Sequence, residues 1–237
     1  MKLTWAVALC ACSGGGDDKL DVRISGEQLV ERGMPAAMFA DGWAVHFDHL
    51  VVSIGDVEAR TGTQRSSLAV DRAVELAQPG AANGLALGAL EAVDTPFDHV
   101  AYTLASVWIR ATATKADDVR HLDLRFTRAL TYDCALVGAP RALTATLHVD
   151  HLFLDNTEDE NLRFQKIADA DGVLGAADGT VDDDELAATR IDGDPLYRVH
   201  STLDFDGHPI TTLRQYLARR IGSFGHVNGD DPCKAIE

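Results

Sequence analysis

The sequence predicts a mainly β chain: an antiparallel β-sandwich that carries a helix-loop-helix insertion and closes on a C-terminal helix. Three observations carry this. Short runs alternate apolar with polar residues, turn-forming clusters separate them, and helical spacing appears only late in the chain. Trp43, Val45 and Phe47 alternate with polar positions, then Val100, Tyr102 and Leu104, then Leu122, Leu124 and Phe126, then Leu143, Ala145, Leu147 and Val149. A period of two places the apolar set on one face of a strand. Gly, Pro, Asp and Thr cluster at 61–66, 78–84 and 111–118, which predicts turns there. Short strands with turn-rich gaps favour a sandwich over alternating strand-helix units. Glu27 to Arg32 and Val74 to Ala77 each fit a helical turn or a strand end. Beyond Pro195 a β-like piece, Leu196 to Phe205, precedes a helix from about Pro209 to Ile221, with Ile210, Leu213, Leu217 and Ile221 on one face. The organisation read from this is a leader and tether at 1–18, a β body at 19–158, an acidic insertion at 159–194, and a closing segment at 195–237 that completes the body.

The chain has 237 residues, 37 acidic against 21 basic, for a formal charge of −16. At 46% hydrophobic it has material for a core, which excludes global disorder. The acidic balance argues against nucleic acid, whose phosphates require a basic footprint. The excess is local. Between Asp150 and Asp194 stand 14 acidic and 3 basic residues, a balance of 3 − 14 = −11 out of −16.

At the N-terminus a basic Met1-Lys2 precedes an apolar run, Leu3 to Ala11, far shorter than the roughly 20 residues that span a bilayer. Leu9-Cys10-Ala11-Cys12 resembles the lipobox of bacterial lipoproteins. The resemblance implies lipidation at Cys12, a membrane anchor, and a place in the bacterial cell envelope, periplasmic or at the outer membrane. With Cys10 and Cys12 given to export, Cys134 and Cys233 remain for the folded part. In an oxidising compartment two such cysteines are expected to pair. The alternative, thiolate metal ligands, lacks a Cys-x-x-Cys spacing.

Phe164, Ile167 and Ala168 stand at helical spacing ahead of Asp169-Ala170-Asp171, and Asp178-Gly179-Thr180-Val181-Asp182 then runs to Glu185. From Asp178 onward, residues 164–186 resemble an EF-hand loop: Asp, Gly for the sharp turn, a carbonyl donor, an apolar bridge residue, Asp, and Glu three positions later. The resemblance implies a Ca²⁺ site from Asp169, Asp171, Asp178, Thr180, Asp182 and Glu185, because a hard cation takes six to eight oxygens. The family spaces its first acidic ligands two apart. Here five extra residues separate Asp171 from Asp178, either bulging outward or disrupting the site.

His46-Phe47-Asp48-His49-Leu50 and His148-Val149-Asp150-His151-Leu152 repeat one pattern, His-x-Asp-His-Leu. In each, the apolar phase flips from odd to even positions, which predicts a β-bulge. With the bulge, His46, His49, His148 and His151 face away from the apolar side. Side by side, the two strands offer imidazoles to Zn²⁺ or copper, with Asp48 and Asp150 as extra or outer ligands. The alternative is an ordinary polar strand face. His99, His121, His200, His208 and His226 read as isolated. No nucleophile elbow and no phosphate-binding glycine loop are present.

The expected function is a non-enzymatic, lipid-anchored envelope protein that binds metal. The rivals are a metalloenzyme (hydrolase or oxidase) built on the histidine motifs, and a calcium-stiffened surface adhesin. The lipobox and strand-rich body also bear a distant likeness to periplasmic copper-binding lipoproteins of the methanobactin-associated type, with no ligand motif carried across. No protein partner is indicated.

Overall fold

A computed structural model describes residues 19–93, 95–138, 140, 142–155, 161–197, 203–229 and 231–236. The leader, with Cys12, lies outside the described residues. β1 (Lys19–Ser25) leads into α1 (Glu27–Arg32), and β2 (Ala44–Thr61) is followed by β3 (Gln64–Leu68), β4 (Arg72–Glu75) and β5 (Leu85–Glu91). The long β6 (His99–Lys115) precedes β7 (Asp118–Phe126), β8 (Leu130–Ala135) and β9 (Ala142–Leu147). The acidic stretch holds α2 (Gln165–Ala168), β10 (Thr180–Val181) and α3 (Asp183–Ala188). The chain closes with α4 (Leu213–Ile221), β11 (Gly225–Val227) and β12 (Asp231–Ile236).

The fold is mainly β and sandwich-like, as the alternation predicts. Hydrogen bonding runs in the order β10-β7-β6-β8-β12-β11-β9-β1-β5, with β2 laid against β6 and carrying β3 and β4. The pairs are antiparallel except β1 with β9 and β10 with β7. β12 is the joint, since it pairs with β8 on one side and β11 on the other. The Cys134–Cys233 disulfide lies at that joint, opposite in register, as the cysteine count predicts. The alternating side chains fill the space between layers. Trp43, Phe47, Tyr102, Tyr132, Phe153, Phe164, Tyr216 and Phe224 are fully buried. Phe164, Ile167, Val181 and Leu186 of the acidic stretch join the same core cluster.

Several local expectations change. The turn expected at 111–118 shrinks to Ala116 and Asp117, because Ala111 and Ala113 are buried and alternate with Thr112 and Thr114, prolonging β6. Glu27 to Arg32 is helical, whereas Val74 and Glu75 are strand. α4 starts at Leu213, where Thr212 and Gln215 form a reciprocal capping box. In the stretch 196–205 the described residues form turns and one isolated bridge, Leu203 to Pro209, in place of a strand. In the first histidine motif the bulge is present: Phe47 pairs with Ala111 and His49 with Arg110, which leaves Asp48 as the extra residue. The second motif is no strand. β9 stops at Leu147 and a 3₁₀ turn, Val149–Phe153, takes over.

Candidate metal centre

That 3₁₀ turn assembles the site. Val149, Leu152 and Phe153 are buried and seat the turn on the core. In 3₁₀ geometry residues three apart eclipse one another, so His148, just before the turn, and His151 within it share its other edge. The His151 N–H donates to the His148 carbonyl at 3.2 Å, and the His148 N–H donates to the Phe224 carbonyl at 2.9 Å. The second bond ties the turn to the segment after α4. There β11 pairs with β9, and His226 falls opposite Thr146. Gly225 has to be glycine for this approach, since a Cβ would stand 2.1 Å from the buried Tyr132 ring.

The result is three imidazoles converging from two elements. His148, His151 and His226, each half-buried, bring one ligand atom apiece to within 4.8 Å of one another. The His148 and His226 rings stack at 4.0 Å between centroids, and His151 stands 5.5 and 5.6 Å from them. Outer contacts fix ring orientation. His151 Nδ1 lies 2.7 Å from the Ser223 carbonyl, and a proton donated there leaves Nε2 to act as a ligand. His148 Nε2 lies 3.4 Å from the Gly229 carbonyl and 3.6 Å from Glu27 Oε1. Asp150 Oδ1 is buried without a hydrogen-bond partner. Among the described residues this is the one group of three or more His, Cys, Asp or Glu side chains that meets the 4.8 Å spacing.

The expected set of four motif histidines does not form. His46 is exposed on β2, and Asp48 accepts from Thr112 Oγ1 at 2.9 Å. His49 stacks on Trp108 and bonds Glu75 through Nδ1 at 2.7 Å. Burial alone raises the Glu75 pKa, but the Ala77 N–H, His49 and the Leu50 N–H outweigh it and hold that carboxyl below the ordinary glutamate value. The second motif instead recruits His226, which the sequence left as isolated. No local spacing announces it, because the β11–β9 pairing that delivers it is long-range.

The acidic loop turns its carboxylates on its own backbone. Gly172 and Gly179 take φ of +85°, and Val181 pairs in parallel with Leu122 of β7. Asp171 accepts from the N–H groups of Asp178 and Gly179, each at 3.0 Å, and stands 3.3 Å from Arg120 Nε. Asp178 accepts from the Thr180 N–H, and Asp169 from the Gln165 amide. Asp182 caps α3 in a capping box with Glu185, whose other oxygen accepts from the Gly172 N–H at 2.8 Å. Asp183 pairs with Arg214 of α4 at 2.6 Å. Asp171 thus bonds across residues 172–177 to Asp178 and Gly179.

No protein-family model matches the chain, and no curated protein or solved structure gives a significant match.

Proposed function

We propose that this is an envelope protein, tethered through Cys12, that holds a transition metal, Zn²⁺ or copper, on His148, His151 and His226. The single observation that carries the reading is the convergence of three imidazole ligand atoms within 4.8 Å. Imidazole suits both metals, and three protein ligands leave a further position for water or an exogenous ligand. The Cys134–Cys233 disulfide supports an oxidising compartment, in keeping with an exported protein. Among the described residues no helix is long and apolar enough to cross a membrane, and a lipid anchor requires none. Titration of the chelator-stripped protein with Zn²⁺ and Cu²⁺ tests the reading. Wild type is expected to bind, and His151→Ala to lose more than the roughly 100-fold that outer-sphere changes reach. Equal affinity in the two proteins would sink it.

A second reading has Ca²⁺ in the acidic loop as a structural ion. It is favoured by left-handed Gly179 and by Val181 on β10, which fall where an EF-hand-like loop has its turn glycine and its apolar bridge residue. Ca²⁺ would have to replace backbone N–H groups as the partner of Asp171, Asp178 and Glu185. Calorimetry on the stripped protein decides it: calcium heat that disappears in Glu185→Gln supports the ion, and no heat in wild type removes it.

A further inference from the structure

One residue beside the histidine trio pays a backbone cost. Glu27, the first residue of α1, has φ of +62°, a region that side chains other than glycine rarely adopt. The obvious place for the local glycine is occupied for another reason. A Cβ on the preceding residue, Gly26, would meet Val30 Cγ2 at 2.9 Å and Leu76 Cβ at 3.3 Å, so close packing requires glycine there. The turn is over-determined. The Glu27 N–H donates to Ser25 Oγ at 3.0 Å, and buried Ser25 donates in turn to the Ala82 carbonyl at 3.0 Å. Strain held in this way clusters at functional sites.

The topology shows what Glu27 is held against. β1 runs parallel to β9 with Ser25 opposite Thr146, so two residues further along both chains Glu27 comes level with His148. Its Oε1 lies 3.6 Å from His148 Nε2, on a ring whose side chain is only 15% exposed. The Gly229 carbonyl, 3.4 Å from the same nitrogen, is its hydrogen-bond partner. A carboxylate at ion-pair distance beside it acts electrostatically, favouring one ring orientation and raising the basicity of the imidazole toward a metal.

Resting on the reading of the trio as a metal centre, we propose that Glu27 is its positioning residue: the left-handed turn after β1 aims a carboxylate at His148 and so tunes metal affinity. The experiment uses the full chain as wild type, Glu27→Gln and Glu27→Gly. Zn²⁺ affinity is measured against a competing chelator, Tm is measured without metal, and EPR spectra are taken of the Cu²⁺-loaded proteins. Glu27→Gln is expected to weaken Zn²⁺ binding by about 10- to 100-fold, to shift the Cu²⁺ spectrum, and to leave the metal-free Tm unchanged. Glu27→Gly removes strain and carboxylate together, so it is expected to melt higher without metal and yet bind as weakly as Glu27→Gln. Wild type binding zinc while Glu27→Gln binds it as tightly, with the same Cu²⁺ spectrum, would overturn this role and leave the trio standing. Failure of wild type to bind Zn²⁺ or Cu²⁺ would overturn both.

Discussion

The acidic loop and the second histidine motif look alike in sequence, each a dense run of metal-ligating side chains, and the fold treats them oppositely. In the loop Asp171, Asp178, Asp182 and Glu185 accept from backbone N–H groups within the same 20-odd residues, and Arg120 and Arg214 reach in from the body. Each of these carboxylates has a partner inside the molecule. At the corner, ligand atoms of three histidines lie within 4.8 Å of one another, with the Ser223 and Gly229 carbonyls against His151 and His148 and the Glu27 carboxylate 3.6 Å from His148. Ligand-type residues close in sequence tend to satisfy their own loop. Ligands brought together by distant strands are positioned by the whole fold.

The strongest way to break this contrast is to cut the joint beside β11, the strand that carries His226. Cys134 and Cys233 are 99 positions apart, so replacing both with serine is expected to cost about 4–5 kcal/mol in the chain-entropy model, read by urea denaturation. The same variant should bind Zn²⁺ more weakly, because β12 pairs with β11. Unchanged zinc affinity would show that β11 is held by β9 alone. Next in size, Gly225→Ala drives a methyl into the Tyr132 ring and is expected to destabilise by about 1–3 kcal/mol while displacing His226. An equally stable variant with intact metal binding would contradict the close approach.

On the loop side, Asp182→Ala removes the α3 cap and should cost about 1 kcal/mol with chelator present throughout. A cost seen only with calcium would mean that the carboxylate serves an ion first. The smallest effect concerns the first histidine motif. Because Glu75 has its pKa lowered by folding, its contribution is fully present above the ordinary value of 4.5 and is lost as pH falls through the folded value. Glu75→Gln should therefore flatten the acid limb of a stability-against-pH curve. An unaltered limb would remove Glu75 as a support of His49.

What the sequence revealed follows the range of the interaction. The strand alternation, the bulge at Asp48 and the disulfide were legible, because each depends on local period or on a count of cysteines. The second motif was half legible. Its phase flip is equally compatible with a bulge and with a 3₁₀ turn, and the adjacent buried pair Leu152 and Phe153 favours the turn. The approach of His226 and Glu27 to His148 was not legible. Their places depend on β11 and β1 flanking β9, which no local spacing encodes.

On the proposed reading the second histidine motif, and not the first, builds the metal centre with His226. Elemental analysis of the purified protein, reloaded with Zn²⁺ or Cu²⁺ and desalted, tests it directly. Wild type and the double variant His46→Ala/His49→Ala should each retain about one metal per chain, and His148→Ala/His151→Ala/His226→Ala should retain none. Retention by the triple variant, or loss in the double variant, would contradict the account.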